Sequence, residues 1–404
     1  MLGGKGDRVT SDRFTYDGRA GITVGGVALD QAGLGADPVR VLLQALTTGH
    51  SFRASTDPAT PITVLAPFAD SPDFQCQSSG SSGRAKTIRR TQASWVRSFE
   101  QTAQRFGIGP ADIVAVPGTL THSLALYGLV EALHLGARAE LLFPLRPDRQ
   151  WRRMHEAGVS VLYATPTQLR LMLVGDAPAL PALRHVFCGG GKLDPECRAD
   201  LARHAPDAQI LEFYGATETS FITMADADTP EGSVGRPYPG VEMQIRDADA
   251  GGVGEIWLRS PYLFSGYATG SSADTRWDDR FLSIGEMGYL DAQGNLFLKG
   301  RKNRMVTVAD HNVFPEDIEA VLIATSGRLS AAIPVPDAQR GHAIVAVIAG
   351  AADDALPARL RQACSRALGP HAAPRRVLFA DPFPLLPAGK PDLVALREFA
   401  LGVA

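Results

Sequence analysis

From about residue 90 onward, apolar positions fall into two rhythms that take turns along the chain. Stretches with apolar residues on one helical face (94–106, 124–135, 150–157 and 195–204) are separated by short apolar runs at 112–116, 139–143, 159–163, 185–188 and 209–213. Helix and strand in alternation predict an α/β domain, a parallel sheet covered by helices, with ligands at the carboxyl ends of the strands. The first 75 residues are less regular. Apolar runs at 21–29 and 62–68 sit between Asp, Gly and Pro, with one helical stretch at 39–46.

After Gly215 the rhythm shortens. Runs at 242–246, 255–259 and 296–298, bounded by Gly and Pro turns, predict an antiparallel subdomain. A charged turn, Gly300-Arg301-Lys302-Asn303-Arg304, then precedes strand, helix (316–325), strand (331–335), strand (343–348), helix (356–367) and strand (376–379). This pattern suits a small α+β domain. The expected organisation is therefore a large domain over 1–300, in which 1–75 form a short N-terminal part, a boundary at 301–304, and a small domain over 305–404.

Composition narrows the function. The chain has 404 residues, and 40 basic against 43 acidic residues leave a net charge of −3, so no broad positive field points to nucleic acid or an anionic membrane. No 18-residue apolar run occurs, and the first ten residues hold no apolar core of a leader. The four cysteines, Cys76, Cys188, Cys197 and Cys364, have neither CxxC pairing nor metal-like spacing to histidine, and read as buried thiols in a reducing, cytoplasmic setting. His155-Glu156 begins like a zinc-binding HExxH helix, but Val159 stands where the second histidine belongs. Only six of the 40 basic residues are Lys. Each surviving Lys points mildly to a place where a compact ammonium must approach one oxygen closely.

Two segments carry chemistry. In Gln77-Ser78-Ser79-Gly80-Ser81-Ser82-Gly83-Arg84-Ala85-Lys86-Thr87, small hydroxylated residues and glycines leave backbone amides free to surround an anion, with a lysine following. A flexible Ser/Gly linker has the same composition. A Walker A loop needs Gly-Lys-Ser/Thr in succession, whereas Arg84 and Ala85 separate Gly83 from Lys86. The second segment, Glu212-Phe213-Tyr214-Gly215-Ala216-Thr217-Glu218-Thr219, brings an aromatic ring, a tight turn, a hydroxyl and a carboxylate to the end of the last predicted parallel strand. A ring stacks on a base and a carboxylate holds Mg²⁺ beside phosphates. Taken alone, Glu218 also reads as a solvated loop carboxylate.

These segments, together with Gly235-Arg236-Pro237, Gly254-Glu255-Ile256-Trp257, Gly266-Tyr267, Gly285-Glu286-Met287-Gly288-Tyr289-Leu290-Asp291, Gly300-Arg301, Val313-Phe314-Pro315-Glu316-Asp317-Ile318-Glu319 and Pro387-Ala388-Gly389-Lys390, occur in one order. That order resembles the adenylate-forming superfamily of acyl-CoA synthetases, aryl-acid ligases and nonribosomal peptide synthetase adenylation domains, over about residues 75 to 400. The resemblance implies ATP-dependent activation of a small carboxylic acid through an acyl or aryl adenylate, with transfer to the thiol of coenzyme A or of a carrier-protein phosphopantetheine. It implies ATP and Mg²⁺, and a mobile small domain turning about Lys302 or Asn303. By the same resemblance Ser78, Ser79, Gly80, Ser81, Ser82, Gly83 and Lys86 hold the departing phosphates, Thr217 touches the α-phosphate and Glu218 holds Mg²⁺. Gly189, Gly190 and Gly191 sandwich adenine with Tyr214, beside Gly215. Glu286 and Arg301 hold the ribose hydroxyls, and Lys390 serves the transition state. His122, Ala125 and Tyr163, near Gly190, border a largely uncharged acid pocket, and the stretch from Tyr163 to Thr167 reads as a pocket wall or a strand-ending Pro turn.

The sequence departs from that pattern in places. Ala85 stands for a usual proline, Glu286 for a usual aspartate, and Asp310 for a glycine near the pantetheine tunnel. The part before the phosphate loop is short, and dimerisation would offset the packing lost with it. These departures motivate a second reading, a nucleotide- or acyl-binding protein that keeps the fold without the chemistry.

Overall fold

The computed structural model describes residues 12–16, 18–29, 37–55, 57, 59–67, 71–78, 86–175, 177–385 and 391–402. The chain forms two compact units. The first comprises Met1–Glu242, Leu258–Ser272 and Ala292–Leu296, the second Met243–Trp257, Ala273–Asp291 and Phe297–Ala404.

The five apolar runs that predict a parallel sheet all form strands of the first unit, Ile113–Val116, Arg138–Leu141, Val161–Ala164, His185–Gly189 and Gln209–Ala216. Across the sheet they lie in the order 138–141, 113–116, 161–164, 185–189, 209–216, all parallel. Ile22–Val24, from the irregular N-terminal part, adds a sixth parallel strand beside Arg138–Leu141, and antiparallel strands close both edges. The helices Gln92–Phe106, Ser123–Leu135, Pro147–Ala157 and Pro195–His204 form where the helical rhythm places them. Val161–Ala164 is buried at every position, which is why it reads as a continuous apolar run.

Two helices have no counterpart in the predicted pattern, Pro166–Met172 and Leu393–Leu401. Pro166–Met172 begins at Thr165, whose hydroxyl accepts from the Gln168 amide while the Gln168 side chain returns to the Thr165 amide. This reciprocal cap, with proline in the first turn, starts a helix where the sequence reads as a pocket wall or a Pro turn. A second sheet of the first unit orders Gly266–Thr269, Lys86–Thr91, Asp73–Ser78, His50–Ala54 and Ile62–Pro67.

The second unit holds an antiparallel sheet around Gly254–Arg259, Glu286–Leu290 and Leu296–Arg301, as the Gly- and Pro-bounded runs predict. Its C-terminal part is a sheet of His311–Val313, Val306–Val308, Gly341–Ala349, Ser330–Asp337 and Arg376–Ala380. Alternate residues of the two central strands face opposite ways. Ala332, Ile344, Ala346 and Ile348 pack with Ile318 and Leu360 of the helices Pro315–Ser326 and Leu356–Leu368, while Ala331, Ile333, Val345 and Val347 pack with Leu396 of Leu393–Leu401. The hairpin Val306–Val308/His311–Val313 turns on Ala309 and Asp310, with φ of 47° and 64°. A two-residue hairpin of this type requires the left-handed region at both positions, a demand glycine meets most cheaply.

Candidate active site

The parallel strands of the first unit, taken in chain order from Ile113–Val116, lie 2-1-3-4-5. A sheet wound this way opens a crevice at its carboxyl edge where the order reverses, between Ile113–Val116 and Val161–Ala164. The loops leaving that edge carry the first group of residues singled out in the sequence.

After Val116 the chain runs through Pro117 and Gly118 to His122, which stands exposed just before the helix Ser123–Leu135. A Cβ on Gly118 would lie 3.3 Å from that of Ala125 and 3.0 Å from the side-chain Nε2 of Gln168, so this glycine lets the two loops approach. Gly190, with φ 85°, and Gly191 lie against the methyl of Thr165 and the ring of Pro166. Gly189 is closed to any side chain, because the Phe213 ring occupies the space a Cβ would need. Glu212 anchors the same loop, accepting the Leu193 amide at 2.9 Å and pairing with Arg198.

Tyr163 is buried, and its hydroxyl donates to Glu131, a fully buried carboxylate that also accepts from Thr102 and Tyr127. Its ring stacks on Phe187 at 4.8 Å. The hydroxyl is thus held within the interior. Among the described residues no cation touches Glu131, and burial pushes its pKa up to about 7 against the three donated hydrogen bonds.

At the end of Gln209–Ala216 the chain reverses through Thr217, Glu218 and Thr219. Gly215 is required there, since a Cβ would meet the Ser220 carbonyl at 1.9 Å. Thr219 closes the turn, its hydroxyl accepting the Ala216 amide at 3.0 Å while its amide donates to the Ala216 carbonyl. Ser220 enters the left-handed region at φ 55°. The Glu218 carbonyl accepts the Phe264 amide, and its carboxylate accepts the Tyr267 hydroxyl at 3.1 Å. The Lys86 ammonium stands 5.9 Å from the centre of the Tyr267 ring, so Lys86, Tyr267 and Glu218 form one series. Lys86 pairs across the sheet with Ser78, the last residue of the neighbouring strand. Ser79, Gly80, Ser81, Ser82 and Gly83 lie outside the described residues, as does Lys390.

Beneath this turn lies Arg90, 1% exposed, on the strand that begins at Lys86. Its guanidinium donates to the carbonyls of Thr217 (2.6 Å) and Tyr262 and to the Ser220 hydroxyl (2.7 Å). Neither Arg90 nor Glu131 is prominent in the sequence, where a charged residue usually marks a solvated face. The available signals are that Arg90 follows Arg89 in a strand whose side chains alternate, and that Glu131 sits in a helix apolar on every side.

In the second unit Arg301 and Glu286 form an ion pair, Nε to Oε1 at 3.2 Å. Burial raises the Glu286 pKa despite Arg301. Gly300 is needed beside them, because a Cβ would come within 2.5 Å of Glu316 Oε2. The following residues are tethered within the same unit. Lys302 pairs at 2.9 Å with the buried Glu255, which also accepts from Ser283 and pairs with Arg276, and the Asn303 amide donates to Asp274 at 2.8 Å.

The set around Glu218 suits Mg²⁺. Among the described residues no three acid, histidine or cysteine side chains converge as an all-protein metal cage. Mg²⁺ typically takes one or two carboxylates and completes its shell with phosphate oxygens and water. All four cysteines are free and buried, with burial raising Cys76 to about 12 and Cys197 and Cys364 to about 11. Among the described residues no helix is long and apolar enough to cross a membrane.

Comparison with known proteins agrees with this geometry. The family described as AMP-binding enzyme matches residues 34–268, and the AMP-binding enzyme C-terminal domain matches 317–390. An uncharacterized acyl–CoA ligase of Bacillus subtilis, YhfT, is 34% identical over 82% of this chain and 69% of its own length. The 2-succinylbenzoate–CoA ligase of Enterococcus faecalis is 30% identical over 77% of this chain and 66% of its own. The chain thus spans about two thirds of the length of these relatives. The crystal structure of ATP-bound MatB from Rhodopseudomonas palustris superposes with a TM-score of 0.70 at 25% identity, over 85% of this chain and 72% of that one.

Proposed function

The chain belongs to the AMP-binding enzyme family, and from that premise we propose that it activates a small carboxylic acid with ATP and hands the acyl group to a thiol. In the first step a carboxylate oxygen attacks the α-phosphorus, the bond to the bridging oxygen breaks, and pyrophosphate leaves. In the second a thiolate attacks the carbonyl of the acyl or aryl adenylate and AMP leaves. Coenzyme A is the acceptor favoured by the relatives' names. A carrier-protein phosphopantetheine presents the same thiol.

The observation that carries this reading is the Thr217–Glu218 turn, held in shape at the carboxyl edge of a parallel sheet beside the Lys86 strand. Bringing a carboxylate to a triphosphate joins two anions, so positioning and charge neutralisation dominate the barrier. Thr217 is assigned to the α-phosphate, and Lys86 with the Ser78–Gly83 segment to the departing phosphates. Mg²⁺, when bound at Glu218, would neutralise phosphate charge. Tyr214 and Gly189–Gly191 are assigned to adenine, Glu286 and Arg301 to the ribose hydroxyls, and His122 and Ala125 to the acid pocket. Lys390 would complete the reacting centre, with Lys302 and Asn303 as the pivot that presents it. The pocket residues named are uncharged or weakly basic, which favours aromatic or aliphatic acids. A homodimer and a cytoplasmic location, the latter suggested by the free thiols, complete the proposal.

Exchange of labelled pyrophosphate into ATP, screened over a panel of acids, tests the reading. Acid-dependent exchange is expected, and Lys390→Ala should reduce it by roughly a hundredfold or more while ATP binding persists. ATP binding with no exchange for any acid would instead identify a nucleotide-binding protein that has lost the chemistry.

A further inference from the structure

Arg90 is an unexpected residue at its position. It sits four residues beyond Lys86, on a strand where Arg89 faces solvent and Arg90 faces the interior. Among the described residues every acceptor around its guanidinium is neutral: the carbonyls of Thr217 and Tyr262, and the hydroxyls of Ser220 (2.7 Å) and, more distantly, Ser94 (3.4 Å). The Trp95 ring lies 5.9 Å from its central carbon, and the indole N–H donates to the same Ser220 hydroxyl at 3.1 Å. A positive charge buried without a carboxylate in contact is costly to a fold, and well-packed apolar residues commonly serve folding as well or better. Burial lowers the Arg90 pKa to about 10, so the group stays protonated at neutral pH.

We infer that Arg90 is a positioning residue for adenylation: its planar fork fixes the Thr217–Ser220 turn from below and so sets where the Thr217 hydroxyl and the Glu218 carboxylate stand. This rests on the ligase reading. The fork matters because it binds two ends of one turn, the Thr217 carbonyl and the Ser220 hydroxyl, while also reaching the Tyr262 carbonyl. That leaves the Thr217 hydroxyl and the Glu218 carboxylate as the polar side chains the turn can present to phosphate and metal. An ammonium at the same place would keep the charge without spanning these acceptors in a fixed plane.

The test combines pyrophosphate exchange, titrated with Mg²⁺ at fixed ATP, with calorimetric binding of ATP in the presence of Mg²⁺ and the absence of any acid. In Arg90→Lys the Mg²⁺ concentration for half-maximal exchange should rise about tenfold, and Mg²⁺-dependent ATP affinity should fall by about the same factor, with the KM for the acid unchanged. In a Glu218→Gln background Arg90→Lys should produce no further shift, because Arg90 acts through the turn that presents Glu218. Ser220→Ala, a milder change should Arg90→Lys fail to fold, should shift the same midpoint about threefold. A purely structural role would reduce the active fraction and leave the Mg²⁺ midpoint and ATP affinity in place, and that result overturns the inference. If no acid supports exchange but Arg90→Lys still loses Mg²⁺-dependent ATP affinity, the ligase reading fails and Arg90 keeps its role. If exchange is robust and neither quantity moves, the ligase reading stands and the inference about Arg90 fails. A wild-type protein that binds no ATP sinks both.

Discussion

Arg90 and Glu131 are both buried groups of the first unit with no opposite charge in contact among the described residues, yet they meet that problem differently. Arg90 is surrounded by carbonyl and hydroxyl acceptors and remains a cation, its pKa lowered only to about 10. Glu131 is surrounded by hydroxyl donors from Thr102, Tyr127 and Tyr163, yet burial brings its pKa to about 7. Guanidinium is intrinsically so basic that desolvation leaves it ionised, whereas a carboxylate loses its charge for a similar penalty. A fixed buried cation beneath the Thr217–Ser220 turn gives a field that does not change between pH 5 and 9. A buried carboxyl that titrates near neutrality makes the stability of the helix–sheet interface depend on pH.

The largest effect that would sharpen this contrast is Glu131→Ala. Three buried hydroxyls lose an acceptor and a void is left, so destabilisation of about 4 kcal/mol is expected from the denaturant midpoint at constant slope. Next is the pH dependence itself. The folded pKa of Glu131 lies above its ordinary value of 4.5, so the stability contributed by its protonated form is fully present below about pH 4.5 and is lost as pH rises through about 7. The difference amounts to about 3 kcal/mol. Glu131→Gln should abolish this slope, becoming more stable than wild type at pH 8.5. Arg90 should contribute no slope between pH 5 and 9, since its transition lies higher. A wild-type protein whose unfolding free energy is flat from pH 5 to 8 would break the comparison, and so would a slope surviving in Glu131→Gln.

The two charges also mark where the sequence was legible and where it was not. The alternation of helical and strand rhythms revealed the five strands and four helices of the parallel layer, because each element buries a continuous face and the period records it. The turn at Thr217–Thr219 is legible by residue type, since Gly215 allows the close reversal and the Thr219 hydroxyl closes it. Pro166–Met172 escaped because its start depends on a reciprocal side-chain cap rather than on period. Arg90 and Glu131 escaped because their partners lie far away in sequence, at Thr217 and Tyr262 for one and at Thr102 and Tyr163 for the other. Tyr163 had been expected at the acid pocket, and only the fold shows its hydroxyl engaged by Glu131.

Tyr163→Phe tests the donor shell around the carboxylate. The removed hydroxyl donates to Glu131, and a hydrogen bond to a charged acceptor is worth more than one to a neutral acid. The loss should be about 2 kcal/mol at pH 8.5 and about 1 kcal/mol at pH 5, steepening the slope that Glu131→Gln removes. An equal loss at both pH values would mean that Glu131 keeps one protonation state across this range.

The smallest effect belongs to the other charge. Ser220→Ala removes an acceptor shared by Arg90 and the Trp95 indole, but Arg90 keeps the Thr217 and Tyr262 carbonyls. The expected cost is about 1 kcal/mol, equal at pH 5 and pH 8.5, because no group at that site changes its charge between them. This small, pH-independent cost should accompany the threefold shift in the Mg²⁺ midpoint. A loss of stability without that shift would assign the Arg90 network to packing alone. A cost that grew with pH would show that the charge of Glu131 reaches across the interior to the turn, and the two buried sites would then have to be treated as one.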